Sequence, residues 1–352
     1  MTETGQRLYE GDVTATSLSF PGRVEITGSV RAGGVVHAGG DVVIRGMIEG
    51  GCVESSGGGV YVDGTLGEGG HSRLILESEP ACRVIAFDQD EAIIGIARRR
   101  LAPYGERFTA ICSNFESMSE ALLAGGVRAV NGILLDLGIS SFHYEASGRG
   151  FSFQKSEPLD MRLGVTARAS ASDVVNEYAE KELVRIFREY GEERYAGRIA
   201  RAIVEARAKE PIMTADRLAA LISRAVPASY AHERIHPATR VFQAIRIEVN
   251  RELEVLEDVL GQTVDLLLPG GRLCVISFHS LEDRIVKHFM RDNEPHCICP
   301  PRAPRCTCGC PGRLRAVYRK ALVADDEEVA KNPRSRSAKL RVAERIADGA
   351  AV

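Results

Sequence analysis

Short apolar runs alternate with amphipathic stretches from residue 60 onward, and this alternation predicts an α/β domain. Several runs are apolar at consecutive positions, as at Leu134 and Leu135, which is typical of parallel strands that are buried on both faces. The stretch 91–101 follows the second run and has helical spacing. The predicted strands are 60–62, 83–88, 108–112, 132–136, 272–277 and a late edge strand at 337–342.

The pattern changes at about residue 145, where apolar side chains begin to recur at helical spacing. Leu183, Ile186, Phe187 and Tyr190 follow i, i+3, i+4 and i+7, so they form one buried stripe of a helix. Two further stripes of this kind follow. We therefore predict an all-helical domain at 145–235 that is inserted into the sheet domain, whose two parts are then 60–144 and 236–352.

Residues 1–59 have a third pattern, in which glycines recur every five to seven residues. Short β-type pieces at 24–26, 35–37 and 42–44 lie between these glycines. Short strands separated by regular glycine turns are typical of a small β-solenoid or a meander. We predict a Gly-rich, β-solenoid-like segment, which either recruits a partner or is an appendage without chemistry.

The chain has 352 residues and a formal net charge of −3, so a nucleic-acid partner must be held by local basic patches. Candidates for such contacts concentrate near the C-terminus: Arg313, Arg315, Arg319, Lys320, Lys331, Arg334, Arg336, Lys339 and Arg341. No apolar run approaches the ~20 residues that span a bilayer. The polar, acidic start is unlike a secretory signal. We expect a cytoplasmic protein that does not contact a membrane.

The most informative local feature is a glycine-dense loop at 63–70, between a predicted strand and a predicted helix. Glycines let the backbone approach a nucleotide-like ligand, and amides at the helix N-terminus face it. The loop matches neither a dinucleotide G-x-G-x-x-G nor a Walker loop. It resembles the D-x-x-x-G-x-G loop of S-adenosylmethionine-dependent methyltransferases. Asp88 and Asp136 end two further strands at the ligand-binding edge of such a sheet, and Asp88 lies where ribose hydroxyls are accepted.

Seven segments occur in the order that is typical of one methyltransferase family. They are 62–72, 134–141, 149–153, 158–162, 236–247, 277–284 and 332–337. Together they resemble the ribosomal RNA small subunit methyltransferase H family, over residues 60–346. The resemblance implies a Rossmann-like core with an inserted helical domain. It also implies methyl transfer from S-adenosylmethionine to the N4 amine of one cytosine in small-subunit (16S) rRNA, with a ribosomal particle as the partner.

The resemblance also implies a cofactor site. Its residues are Gly69, Gly70, His71, Asp88, Phe115, Asp136 and His143. His143 stands where the family usually has glutamine, and its imidazole is expected to replace the amide as a donor. The family usually opens with a short helix beside the cofactor loop, and residues 1–59 take its place here. Either this segment substitutes for the helix, or the chain is a catalytically weakened RNA-binding or scaffold protein of the same fold.

The predicted catalytic residues are Asp136, His279 and Asp283. The N4 lone pair of cytosine is delocalised into the ring, so the site has to accept hydrogen bonds from the amine as positive charge develops on it. Asp136 is the first candidate for this role. His279 and Asp283 follow the fifth strand at the same edge. The alternative is that Ser280 and Asp283 only cap the following helix.

Five cysteines lie between residues 297 and 310. In a reducing compartment this density favours a tetrahedral zinc site over disulfides, although C-x-C pairs are tighter than the usual spacing. The predicted ligands are Cys297, Cys299, Cys306 and Cys308, in a structural role. A thiol-rich loop without metal is the alternative. The oligomeric state stays open, with a homodimer as one option.

Overall fold

The structure is a computed structural model, and it describes most of the chain from residue 6 to residue 347. The described residues are 6–14, 17–20, 23–31, 35–38, 42–44, 48–49, 52–55, 58–164, 167, 169–231, 236–297, 299, 308 and 312–347.

The N-terminal segment is a β-solenoid with three parallel ladders. Its strands are β1 (Gln6–Tyr9), β2 (Ser17–Phe20), β3 (Arg23–Ile26), β4 (Val30–Arg31), β5 (Val35–Ala38), β6 (Val42–Ile44), β7 (Ile48–Glu49) and β8 (Cys52–Ser55). The ladders are β1-β3-β6, β2-β5-β8 and β4-β7. Paired residues are 17 or 18 positions apart, as for Gln6 with Arg23 and Val24 with Val42. Each coil therefore stacks on the previous one, and the three predicted β pieces are β3, β5 and β6.

The central sheet begins directly after this segment. Its strands are β9 (Val60–Asp63), β10 (Arg83–Asp88), β11 (Phe108–Cys112), β12 (Val130–Asp136), β13 (Leu267–Ser277), β14 (Leu314–Ala316), β15 (Leu322–Val323) and β16 (Lys339–Arg345). The order is β11-β10-β9-β12-β13-β16-β14, and β15 also pairs with β16. Strands β9 to β13 are parallel, whereas β16 is antiparallel to β13. The prediction of an edge strand at 337–342 was wrong in one respect, because β16 lies between β13 and the short strands β14 and β15.

Helices cover the sheet and form the insert. They are α1 (Gly70–Ser78), α2 (Glu91–Leu101), α3 (Met118–Ala124), α4 (Ser141–Glu145), α5 (Ala171–Glu177), α6 (Glu180–Glu189), α7 (Ala196–Arg207), α8 (Ala215–Ala225), α9 (Ala228–Ala231), α10 (Ala238–Asn250), α11 (Glu252–Leu266), α12 (Ser280–Asp292) and α13 (Asp326–Lys331). Helix α2 has the predicted bounds. Among the described helices, none is both long and apolar enough to cross a bilayer.

The insert has its own apolar core. Leu183, Ile186 and Phe187, which the sequence places on one stripe, are fully buried in it. The same cluster includes Val241 and Ile245 of α10. Helix α10 therefore packs with the insert, whereas the predicted boundary at residue 235 assigned it to the sheet domain. The core of the sheet forms two separate clusters, so the chain folds around several apolar centres.

Candidate active site

A cavity of about 580 Å³ lies at the carboxyl ends of the parallel strands. Of the residues implied to bind the cofactor, six line it: Gly70, His71, Asp88, Phe115, Asp136 and His143. Gly69 is the N-cap of α1, next to the lining residues. The lining begins at Gly64, so no described residue of the N-terminal solenoid contributes to it. Residues at the ends of five parallel strands, β9 to β13, thus meet around one space, as expected of an open α/β sheet.

Hydrogen bonds to the buried Asp63 fix the glycine loop. Its carboxylate accepts the Ser72 hydroxyl at 2.7 Å and the Thr65 amide at 3.1 Å. Gly69 has φ +81°, and a Cβ there would lie 2.9 Å from Leu101, so a side chain is excluded on both counts. Gly70 and His71, at the first turn of α1, line the cavity, and amides at this position have no acceptor within the helix. This end of the cavity is suited to a carboxylate or another anionic group.

Asp88 presents a carboxylate at the end of β10. One oxygen accepts the Gly67 amide at 2.9 Å, and the other accepts the Asp90 amide at 3.0 Å. Burial raises the pKa of Asp88, while these two hydrogen bonds oppose that effect. Each carboxylate oxygen retains a lone pair after these bonds. Asp88 is therefore held in place and is able to accept two hydroxyl groups of a ligand.

Asp136 lies at the end of β12, with its Oδ2 atom 3.5 Å from Nδ1 of His71. Its amide donates to the hydroxyl of Thr65 at 2.7 Å, a contact that the sequence did not reveal. Oδ1 is buried and has no hydrogen-bond partner among the described residues. Burial raises the pKa of Asp136 to about 6. His71 opposes this increase, whereas the neighbouring carboxylates of Asp63 and Glu282 add to it. The site thus holds a carboxylate that is ionised at neutral pH and has an unused acceptor.

His143 lines the cavity, but its two ring nitrogens have partners within the protein. The ring is buried against the cavity wall, but Nδ1 lies 2.9 Å from the Ser140 hydroxyl and Nε2 lies 3.1 Å from Oδ2 of Asp90. Both ring nitrogens are therefore used within the protein, and the imidazole orders the loop before α4. The expected donation to the cofactor would require His143 to leave Asp90.

Asp90 connects the core to the start of the insert. Its carboxylate is hydrogen-bonded to His143 and to the guanidinium of Arg149, and Arg149 also donates to the carbonyl of Arg162 at 2.8 Å. Burial raises the pKa of Asp90, but the hydrogen bonds from His143 and Arg149 outweigh it and lower the value to about 2. This pairing explains the arginine of segment 149–153, which the sequence could not assign to a partner.

We predict that Asp90→Ala lowers the free energy of unfolding by about 2–4 kcal/mol, because it leaves the partly buried Arg149 without its carboxylate. Because the pKa of Asp90 is depressed on folding, this stabilisation is present above pH ~4 and is lost as the pH falls toward 2. Urea unfolding at pH 7 and pH 3 measures both effects. The control is Asp265→Ala, which removes an exposed partner of Arg313 and should cost less than about 1 kcal/mol. Equal losses in the two variants would contradict the prediction.

The two predicted catalytic residues on α12 have different surroundings. His279 is the N-cap of α12, and it forms a capping box with Glu282. The alternative pairing of Ser280 with Asp283 does not form. The carboxylate of Asp283 instead lies 2.7 Å from Arg341 and 3.1 Å from Lys339 on β16. Neither Asp283 nor His279 is among the residues that line the cavity, although Phe278, which directly precedes His279, is. In the structure Asp283 joins α12 to β16, and a catalytic role for either residue stays a prediction.

Behind His279 lies an ion pair that the sequence did not predict. Arg246 of α10 donates two hydrogen bonds, of 2.8 and 2.9 Å, to the two carboxylate oxygens of Glu252. Both side chains are largely buried. The pair joins α10 to α11 at the base of the insert, and Glu252 lines a small cavity beside Gly138. No local sequence signal distinguishes such a pair from two solvent-exposed charges.

Three of the four predicted zinc ligands are described, and they lie together. The sulfur atoms of Cys297, Cys299 and Cys308 are within 4.8 Å of one another, and those of Cys297 and Cys308 are 3.8 Å apart. Cys306 lies outside the described residues. The two ends of the loop are held together, because Gly312 packs closely on Pro295 and the Arg313 amide donates to the carbonyl of Asn293 at 2.8 Å.

The strand order, the antiparallel β16 and the cavity at the strand ends define the Rossmann-like fold of S-adenosylmethionine-dependent methyltransferases. The chain belongs to the MraW methylase family, whose sequence model matches residues 41–346. The predicted fold class and family are thereby confirmed.

Relatives in this family match most of the chain. The ribosomal RNA small subunit methyltransferase H of Carboxydothermus hydrogenoformans is 54% identical over 289 residues, which cover 82% of this chain and 92% of that protein. The protein of the same name from Geobacter sulfurreducens is 53% identical over 290 residues, covering 82% and 93%. The one from Syntrophotalea carbinolica is 51% identical over 296 residues, covering 84% and 94%.

Proposed function

We propose that this protein transfers the methyl group of S-adenosylmethionine to the N4 amine of one cytosine in small-subunit (16S) rRNA. The observation that carries the proposal is the cavity, which is lined by Asp88, by the start of α1 and by Asp136, whose buried Oδ1 is an unused acceptor. A nucleoside that carries a carboxylate suits this lining. The relatives' names supply the rRNA substrate. We infer a cytoplasmic enzyme that acts on a ribosomal particle.

Most residues of the proposed site bind the cofactor, and Asp136 acts on the target amine. The amides of Gly70 and His71 bind the carboxylate end of the cofactor, Asp88 accepts its ribose hydroxyls, and Phe115 packs on the adenine. When bound, S-adenosylmethionine supplies a methyl group on a positively charged sulfur. Holding the amine in line with that methyl group removes much of the entropic barrier.

Asp136 acts on the amine itself. A hydrogen bond from N4–H to Oδ1 localises the nitrogen lone pair and stabilises the positive charge that forms as the N–C bond is made. The electron pair of the broken S–C bond stays on sulfur. The proton that N4 then loses passes to Asp136 or to water. The unused acceptor and the pKa of about 6 both suit Asp136 for this role.

The predicted phosphate-contacting residues near the C-terminus differ in how far they are already paired. Arg315 and Arg341 form ion pairs with Glu344 and Asp283. Arg334 lies closer to the cavity, where it bonds Glu145 at 2.6 Å and lies 5.5 Å over the Tyr144 ring. Asn332 of the same segment lines the cavity. We therefore infer that segment 332–337 is the part of this basic region nearest the target nucleotide.

A transfer assay tests the proposed substrate. The full chain is incubated with S-adenosylmethionine labelled in its methyl group and with small-subunit particles, large-subunit particles or protein-free 16S rRNA. We expect label in small-subunit rRNA and none in large-subunit rRNA. Label in neither would contradict the proposal and favour the weakened RNA-binding or scaffold protein of the same fold. Faster labelling of small-subunit particles than of protein-free 16S rRNA would support a ribosomal particle as the substrate. A homodimer stays a prediction that sedimentation tests.

We also propose that the cysteine loop holds a structural zinc ion. Thiolates at ~2.3 Å from a tetrahedral zinc are about 3.8 Å apart, which is the separation of the Cys297 and Cys308 sulfur atoms. The contact between Gly312 and Pro295 closes the loop and favours a site over an extended thiol-rich chain. Cys306 remains the candidate for the fourth ligand.

Metal analysis of the purified chain should give one zinc per molecule. Replacing it with cobalt should produce the absorption bands of tetrahedral thiolate coordination, since cobalt occupies such sites with the same ligands. Cys297→Ser and Cys308→Ser should lose the metal, whereas Cys112→Ser, at an exposed thiol outside the loop, should retain it. A metal-free protein whose loop thiols all react at once with a thiol reagent would refute the zinc site.

A further inference from the structure

Two buried side-chain atoms in the described part of the molecule have no hydrogen-bond partner, Oδ1 of Asp136 and Nε2 of His279. Buried polar atoms are nearly always paired, so each such atom calls for an explanation. Both residues lie at the carboxyl ends of neighbouring strands, because Asp136 of β12 pairs with Ile276 of β13 and His279 follows β13. The two unpaired atoms therefore belong to the same edge of the sheet.

The unpaired nitrogen of His279 is a donor. Nδ1 of the ring accepts the amide of Glu282 at 3.5 Å, so the ring proton is on Nε2. Nε2 lies 3.1 Å from Oε1 of Glu282, close enough for electrostatic attraction, but this contact does not meet the geometry of a hydrogen bond. The side chain is 10% exposed, which leaves little access for bulk water. The edge thus presents one acceptor, on Asp136, and one donor, on His279.

The charged groups behind this pair are fixed by other contacts. Glu282 accepts the amides of Phe278 and His279 at 2.8 and 3.3 Å, and it is fully buried. Glu252 is held by both nitrogens of Arg246. A divalent cation among Glu252, His279 and Glu282 would have to compete with that guanidinium. The unused hydrogen-bonding capacity is therefore better suited to a neutral ligand that has both a donor and an acceptor.

We propose that His279 selects the target base, by donating from Nε2 to N3 of the cytosine whose N4 amine faces Asp136. The inference rests on the proposed function and names the recognition chemistry of the same site. Cytosine has an N–H donor at N4 beside an acceptor at N3, which complements Asp136 and His279. Uracil has an acceptor at position 4 and a donor at N3, so like groups would face each other at both positions. Such a mismatch leaves buried groups unpaired and discriminates strongly.

The test removes the acceptor from the base and the donor from the protein, separately and together. Small-subunit particles are reconstituted with rRNA that has cytidine or 3-deazacytidine at the methylated position; the analogue keeps the amine but replaces N3 with C–H. We expect kcat/KM of the natural enzyme to fall about 10- to 100-fold on the analogue. His279→Phe should lose a similar factor on cytidine and lose nothing further on 3-deazacytidine.

Two further variants make the result decisive. His279→Gln places an amide nitrogen near the position of Nε2 and should restore discrimination against the analogue, whereas His279→Asn should not. His288→Phe, at an exposed histidine on the same helix, should behave like the natural enzyme. If His279→Phe fails to bind S-adenosylmethionine, the Gln and Asn variants decide the question.

Equal rates on the two bases by the natural enzyme, or discrimination that persists in His279→Phe and His279→Asn, would overturn the proposal. Either result leaves the proposed function intact, because cytidine is still methylated. If the natural enzyme methylates neither base, the proposed function itself is wrong. The experiment therefore distinguishes failure of the His279 proposal from failure of the proposed function.

Discussion

Asp136→Asn is expected to lower the rate of methyl transfer by about 100- to 1000-fold, the usual cost of removing a group that stabilises charge in the transition state. The substitution keeps the shape of the side chain but removes its charge, and the amide can turn its NH₂ group toward the target amine. Single-turnover transfer from bound cofactor measures the effect. Cofactor binding should be retained, because the α1 amides and Asp88 are unchanged, and calorimetry checks this.

Asp136 should also make the rate of methyl transfer depend on pH. The pKa of Asp136 is raised to about 6 by burial, so the carboxylate is ionised above that pH and protonated below it. The protonated form cannot accept the hydrogen bond at the same oxygen, and the rate should therefore fall as the pH drops through about 6. Asp136→Asn should lose this limb of the profile. A full rate in the variant, or an unchanged limb, would show that Asp136 has no direct role in the transfer.

Asp88→Ala is expected to weaken S-adenosylmethionine binding by about 100-fold or more, because it removes the acceptor of two hydroxyl groups and each hydrogen bond to a charged acceptor contributes about 1.5–3 kcal/mol. The loss should include a contribution from the loop, since the Gly67 amide also loses its acceptor. Calorimetric titration with S-adenosylmethionine and with its demethylated product should show the same loss, because the ribose is common to both.

The matched control is Asp292→Ala, at an exposed carboxylate on α12 that is 62% accessible. It should bind the cofactor as the natural chain does. Binding by Asp88→Ala that is indistinguishable from this control would mean that the ribose is held elsewhere, and the cofactor orientation proposed here would be wrong.

The parallel part of the fold was predictable because its signal is local. Continuous apolar runs specify buried strands, and α2 has the predicted bounds because Asp90 is a good N-cap that accepts the Ala92 amide. The placement of Asp88 and Asp136 followed from the same logic, since residues that end parallel strands meet at one edge. The glycine-dense loop at 63–70 likewise predicted a tight turn between a strand and a helix, and α1 begins there, at Gly70 beside the cavity.

The remaining features depend on contacts between residues that are distant in sequence. The helical pattern of α10 predicts a buried face but not the layer against which that face packs, so its membership of the insert was missed. The three-residue strand β14 is too short for a periodic signal, and β16 was therefore assigned to the edge. The sequence also lacked any sign that His143 binds Asp90, or that Arg246 binds Glu252, because each pair forms only in the folded chain.

The most direct test of the central claim is the identity of the product. Small-subunit particles that lack methylation at the target are treated with the full chain and S-adenosylmethionine, and the rRNA is digested and analysed by chromatography and mass spectrometry against methylcytidine standards. We expect one N4-methylcytidine per 16S rRNA, at a single position, and with Asp136→Asn a yield that is about 100- to 1000-fold lower at the same early time. A methyl group on C5 or N3 of cytosine, on another base, or no methyl group at all would contradict this expectation.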